Sequence, residues 1–278
     1  MAISHPPITV FTKPWKNLAI GSLADLIADL GFNGIELPVR EGFQVEPDTI
    51  QDSLTRAVSA FEERGMSIYS VAGDLDEKTA RACVENEIPV LRTMLKLQDG
   101  KSYSENVEAF QNQCLLLTGE LNGSNTTIGL QNHCDEFVSS SVGMMQAIEP
   151  LPEELATAVL DLGHIGLEGE LEEIAIDIAW SRLSLVNLKN ALRYKEGVDE
   201  RGAVIWNRTW VTGKEGYTSW DKAVAELAKR SFRLPICITC EYKDANHRGL
   251  SGDDLIPYVK EDLKYLRELL NVHYKLDS

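Results

Sequence analysis

Asp161 ends a short apolar run, Val159-Leu160-Asp161-Leu162-Gly163-His164, and a histidine follows it by three residues. A carboxylate at the tip of a buried strand is costly unless something pairs it or binds to it. The pattern recurs along the chain. Ile35 and Leu37 alternate with Gly34 and Glu36, and Ile128 and Leu130 with Gly129, Gln131 and His133. Val186 and Leu188 alternate with Leu185, Asn187 and Lys189, and Ile238 and Cys240 with Thr239 and Glu241. Side chains of a strand point alternately to its two faces. Each run therefore offers one apolar face to a covering layer and another that turns polar at its C-terminal end. Glu36, Gln131, Asp161, Asn187 and Glu241 would converge there, as carboxylates and amides able to hold a cation, a proton or a polar ligand.

The elements that must position them alternate regularly. Strand-like runs fall at residues 8–12, 34–40, 67–73, 89–95, 126–133, around Asp161, at 184–192 and at 236–242. Helix-like runs fall at 22–30, 48–64, 76–86, 103–121, 144–148, 171–182, 220–230 and 254–270. Pro47 and Gly65 bracket one helix, and Asn122-Gly123 closes another. Eight β-then-α units imply a parallel sheet with right-handed crossovers. A closed (β/α)8 TIM barrel is the economical arrangement in 278 residues; a doubly wound open sheet is the alternative. Such barrels keep their sites at the C-terminal ends of the strands, where the polar groups above would lie. No linker rich in Pro, Gly or Ser divides the chain, so residues 1–278 read as a single domain. The segment 195–219 exceeds ordinary loop length and reads as a lid or as disordered. Its Trp206, Trp210 and Tyr217, with Trp220 after it, could stack on a sugar; packing of the loop or of a subunit contact is the preferred reading.

Composition excludes several classes. Acidic residues outnumber basic ones 43 to 27, for a net charge of −16, whereas a nucleic-acid binder needs a basic surface. No apolar run reaches the roughly 20 residues of a membrane span, and no signal peptide is read. Five scattered cysteines suit a reducing, cytoplasmic setting. Cys237-Ile238-Thr239-Cys240 has redox spacing, but residues three apart on a strand point to opposite faces, so ordinary buried thiols are expected. Gly100-Lys101-Ser102 has the tail of a phosphate loop, but Leu95 occupies the place of its first glycine.

Gly31-Phe32-Asn33-Gly34-Ile35-Glu36-Leu37, Gln131-Asn132-His133, Asp161-Leu162-Gly163-His164, Asn187-Leu188-Lys189-Asn190, Gly213-Lys214-Glu215-Gly216 with Trp220, and Glu241 follow one another in order. In this the chain resembles, over almost its whole length, the xylose isomerase-like sugar isomerase/epimerase superfamily. A related DNA-repair endonuclease family needs more histidines and carboxylates for its three zinc ions than this chain, with five histidines, can supply.

The resemblance implies one divalent metal held by a glutamate, an aspartate, a histidine and a second glutamate, the glutamates moving a proton between adjacent sugar carbons. Asp161 and Glu241 stand at matching positions; Gln131 stands for the first glutamate and Asn187 for the histidine. The implied metal set, Gln131, Asp161, Asn187 and Glu241, is thus degenerate. Such oxygen donors suit Mg²⁺ or Mn²⁺, held weakly or not at all, with the amides instead satisfying the carboxylates. A glutamine cannot exchange a proton near neutral pH, so Glu241 as base would need His164, His133, Glu36 or Lys189 as partner.

The expected catalytic residues are Glu241 and His164, and the expected substrate contacts are Glu36, His133, Lys189 and Arg193. Each has a plainer reading: His164 as a cap, Glu36 as a partner of a neighbouring strand, Arg193 as an exposed loop charge, and Lys189 as an ion-pair partner of Asp161 or Glu241. The expected function is a sugar or sugar-derivative isomerase or epimerase with a modified metal site. A dehydratase or lyase, and a non-catalytic ligand-binding relative, are the alternatives. The expected partner is a small sugar-like molecule, phosphorylated or not, with a homo-oligomer left open.

Overall fold

Aliphatic strands here are buried on both faces, and they sort their side chains into two clusters. Ile35, Leu37, Ile128, Leu130, Leu160, Val186 and Leu188 pack outward with helix residues such as Leu23, Ile27, Leu54 and Leu266. Phe11, Ala72, Val90, Val159, Leu185 and Cys237 form a separate inner cluster. Two such layers are what a closed barrel produces.

The computed structural model describes residues 5–274. Its strands are β1 (Ile8–Phe11), β2 (Gly34–Pro38), β3 (Ser67–Ala72), β4 (Val90–Met94), β5 (Thr127–Gln131), β6 (Ala156–Asp161), β7 (Leu183–Leu188), β8 (Asn190–Val198), β9 (Val204–Val211) and β10 (Ile236–Ile238). The barrel closes in the order β1-β10-β7-β6-β5-β4-β3-β2, and β8 with β9 forms a separate two-stranded sheet. The barrel pairings are parallel. The helices are α1 (Ile20–Leu30), α2 (Ile50–Glu62), α3 (Glu77–Glu85), α4 (Tyr103–Leu116), α5 (Thr118–Leu121), α6 (Ser141–Ile148), α7 (Leu162–Glu168), α8 (Glu172–Ala179), α9 (Trp220–Lys229) and α10 (Ile256–His273). The expected (β/α)8 barrel is thus the fold. Among the described residues no helix is long and apolar enough to cross a membrane.

In five of the barrel strands an inner residue precedes a polar one by two positions. Gly34 leads to Glu36, Val90 to Arg92, Gly129 to Gln131, Val159 to Asp161 and Leu185 to Asn187. Val90, Val159, Leu185 and Cys237 therefore plug the barrel beneath a polar layer, while Phe11 and Ala72 lie level with it, in register with Glu36 and Arg92. Gly129 is required by this packing: a Cβ there would lie 2.5 Å from Val90 Cγ1 and 2.7 Å from Val159 Cγ2.

Three details depart from expectation. Residues 195–219 are not a structureless lid, because β8 and β9 pair antiparallel as a hairpin. The last strand stops at Ile238, so Glu241 lies in the loop beyond it. Finally, β6 ends at Asp161, and Leu162 opens the helix α7 instead of continuing the strand. Asp161 itself caps that helix, its Oδ1 accepting from the N–H groups of Gly163 and His164.

Candidate functional site

A connected chain of hydrogen bonds crosses the polar layer. Ser70 Oγ and Arg92 Nε both donate to Glu36 Oε2, at 2.8 and 2.9 Å. Another nitrogen of the same guanidinium donates to Gln131 Oε1, and Gln131 Nε2 donates to Asp161 Oδ2 at 2.8 Å. A guanidinium has no acceptor, so Arg92 fixes the amide with its oxygen inward and its NH₂ group on Asp161. Asn132 ties the ends of β5 and β6 together, accepting from Asp161 N at 2.7 Å and donating to its carbonyl at 3.1 Å. Burial pushes the Asp161 carboxyl up to about 6, against the pull of Lys189, the His164 N–H and Arg92.

Opposite this chain stands Glu241. Lys13 Nζ donates to its Oε1 and Lys189 Nζ to its Oε2, both at 2.5 Å. Burial alone would raise the Glu241 carboxyl, but the two ammonium groups outweigh it and hold the group well below the usual carboxylate range. The Lys189 ammonium also lies 3.6 Å from the centroid of the Trp210 ring. The hairpin therefore brings one aromatic over the mouth. Trp220 is buried in the core at 1% exposure, and Trp206 is 60% exposed.

Two histidines complete the wall, with ring centroids 4.0 Å apart. His133 Nδ1 lies 2.9 Å from the Cys134 carbonyl. A carbonyl only accepts, so Nδ1 carries the proton and Nε2 keeps a lone pair. His164 has the opposite tautomer: its Nδ1 accepts from Cys134 N at 3.2 Å, and Nε2, 3.8 Å from Asp161 Oδ2, carries the proton. Burial lowers the pKa of both, and Lys189 lowers it further, His164 lying well below its ordinary value. Both rings are neutral at pH 7.

Glu36, Gln131, His133, Asp161, His164, Asn187, Lys189 and Glu241 line one cavity of about 210 Å³. Arg193 does not join them; its guanidinium donates to the Leu167 carbonyl at 3.2 and 3.1 Å and pairs with Glu168 at 3.3 Å. Lys189 takes the ion-pair role with Glu241. Lys13, Arg40 and Arg92 line the same cavity and were not anticipated. Arg92 had a signal, being a charge at an inner position of a buried strand. Lys13, which opens a 3-10 turn after β1, and Arg40, in the loop just past β2, had none.

The four expected ligands do not fit a divalent cation as they are arranged. Gln131 turns its NH₂ group, not its oxygen, toward Asp161, and both oxygens of Glu241 are held by ammonium groups. Of the two amides only Asn187 Oδ1, buried and without a hydrogen-bond partner, is a free donor. A different cluster, His133, Cys134 and His164, has its ligand atoms within 4.8 Å of one another. Burial pushes the Cys134 thiol up to about 12, which keeps it protonated and a poor ligand.

A profile of the xylose isomerase-like TIM barrel family matches residues 24–269. The chain belongs to that family. Its fold is shared with a 3-keto-D-glucoside 4-epimerase from E. coli, at 12% identity and a TM-score of 0.68, over 95% of this chain and 99% of that one. A D-allulose 3-epimerase from Methylomonas sp., solved with D-allulose, is 14% identical with a TM-score of 0.69, over 95% and 97%. A probable 3-DHS dehydratase from Bacillus anthracis is 15% identical with a TM-score of 0.67, over 94% and 98%. By sequence, no curated protein matches this chain. Membership in the family accounts for where the cavity sits; its lining departs from the metal site that membership implies.

Proposed function

We propose that the chain binds a small polyhydroxylated, sugar-like ligand in this cavity and moves a proton on it without a divalent metal, as an isomerase or epimerase. The observation that carries this reading is a pair of buried acceptors without partners, Glu36 Oε1 and Asn187 Oδ1, on residues that both line the cavity. An unpartnered buried acceptor costs about 1–3 kcal/mol, and ligand hydroxyls are donors that would satisfy both. The sugar epimerases of the same fold favour the same class of ligand.

The proton step follows from the electrostatics. His133 is neutral, with the lone pair of Nε2 available, and is the base in this reading. It removes a proton from the carbon beside a carbonyl, and the electron pair moves to the carbonyl oxygen. Lys189 faces the cavity with a fixed positive charge; one N–H is on Glu241 and the Trp210 face takes another, which leaves a third for that oxygen. Glu241, held far below the usual range, is a weak base and serves to position the two lysines. The His133 imidazolium formed in this step returns a proton to carbon, while Asp161 is held as a carboxylate by Gln131 and the N–H groups of Gly163 and His164. A dehydratase or lyase begins with the same abstraction.

The test is solvent exchange. Protein freed of metal by a chelator is incubated in D₂O with a panel of ketoses and keto acids, and deuterium uptake beside the carbonyl is read by NMR. Uptake in the presence of the chelator, lost in His133→Asn and Lys189→Met, is the expected result. Ligand binding with no uptake from any member of the panel would overturn the catalytic reading in favour of a binding protein. Uptake that requires added metal would overturn the metal-free mechanism.

A further inference from the structure

The cavity carries more positive charge than its own acids neutralise. Lys13 and Lys189 share Glu241, Arg92 pairs with Glu36, and Asp161 is held by Gln131 and two backbone N–H groups. Arg40, just past β2, lines the same cavity. Among the described residues its guanidinium has neither a salt-bridge partner nor a side-chain hydrogen bond. It also lines an adjoining cavity of about 600 Å³, whose acids Glu41 and Asp74 do not pair with it.

Its surroundings make this unfavourable. Burial lowers the Arg40 pKa, and the neighbouring Arg92 charge lowers it further, against weaker support from Glu241, Glu36 and Asp74. A half-buried guanidinium set against another guanidinium is disfavoured unless an anion joins it. The surplus also stands out in a chain whose net charge is −16. The arginine fork matches a carboxylate or a phosphate with two parallel hydrogen bonds.

We propose, on the reading of the cavity given above, that its ligand is an anionic sugar derivative whose carboxylate or phosphate docks on Arg40. Its hydroxyls face Glu36 and Asn187, and its reacting carbons lie between His133 and Lys189. The charge on the ligand then does what no side chain does, neutralising Arg40 and relieving its repulsion with Arg92. Association should weaken as salt screens that attraction.

The test compares four probes by calorimetry at low and high salt: D-fructose, D-gluconate, D-fructose 6-phosphate and inorganic phosphate. The expected result is that gluconate or fructose 6-phosphate binds at least about tenfold tighter than fructose, and that Arg40→Gln brings the ratio to within about threefold. Arg40→Lys should keep an intermediate ratio, since it retains the charge and loses the fork. Preference for gluconate or for fructose 6-phosphate identifies the carboxylate or the phosphate as the source of the charge. Fructose binding as tightly as both charged sugars would overturn the anion proposal while leaving the sugar-binding reading intact. Inorganic phosphate binding as tightly as fructose 6-phosphate would keep the anion site and overturn the sugar. Binding of none of the four would overturn both.

Discussion

A glutamate at position 131 would present an oxygen to Asp161 where Gln131 now presents an NH₂ group 2.8 Å away. Two carboxylate charges about 4 Å apart repel by about 4 kcal/mol at an effective dielectric of 20. The new charge would also be attracted to Arg92, which offsets a similar amount. What remains is the lost hydrogen bond and an oxygen facing an oxygen, a cost of about 1–3 kcal/mol. A shared proton removes that cost, and Asp161 already stands at about 6. The pair should therefore bind one proton well into the neutral range. Carboxyls raised above their unfolded values give stability that is present at low pH and lost as pH rises through the folded value. Gln131→Glu is thus expected to be close to the parent protein in stability at pH 5 and less stable by about 1–3 kcal/mol at pH 8. Urea denaturation at the two pH values measures this. Added Mn²⁺ should recover the loss at pH 8, because two carboxylates and Asn187 Oδ1 then supply hard oxygen donors. A variant as stable as the parent at pH 8 without metal would refute the argument that the Gln131 amide holds the Asp161 charge.

Asp262, on α10, accepts from Gly213 N and from the Tyr242 hydroxyl, both at 2.8 Å, and burial lifts it from an ordinary 3.8 to about 6. Its raised value contributes stability below about pH 4 that is lost by pH 7, roughly 3 kcal/mol, so Asp262→Asn should flatten the decline of stability between those pH values. Lys189→Met leaves Glu241 with Lys13 alone. It should cost about 1–3 kcal/mol at pH 7 by chemical denaturation, a moderate figure because the Glu241 side chain is 22% exposed. Gly216→Ala would place a Cβ 1.9 Å from Asn190 Oδ1, which accepts from Thr218 N and Oγ1; a loss of about 1–3 kcal/mol is expected.

Alternation made most of the site legible. Inward and outward positions follow from strand periodicity, so Glu36, Gln131, Asp161 and Asn187 could be placed at one end of the barrel before any coordinates. Boundaries were less legible. The helix α7 is seven residues long with two glycines, and it forms because Asp161 caps it and the barrel covers it. The hairpin was hidden because β8 and β9 lie mostly outside the core and lack a strict apolar alternation. Arg193 was misplaced for the same reason: it sits on β8, whose direction is set by pairing with β9 and not by the barrel. Of the partners of Glu241, Lys189 was anticipated as an ion pair, whereas Lys13 was not, since it reaches Glu241 from 228 positions away.

An amide and two ammonium groups, from Gln131, Lys189 and Lys13, take up the carboxylate oxygens of Asp161 and Glu241 that a divalent cation would need. Calorimetric titration of the natural protein with Mn²⁺ after chelation tests this most directly. No saturable binding is expected for the natural protein, with binding appearing once Gln131→Glu is made and tightening when Asn187→His is added. Stoichiometric Mn²⁺ binding by the natural protein, abolished by Asp161→Asn, would contradict it.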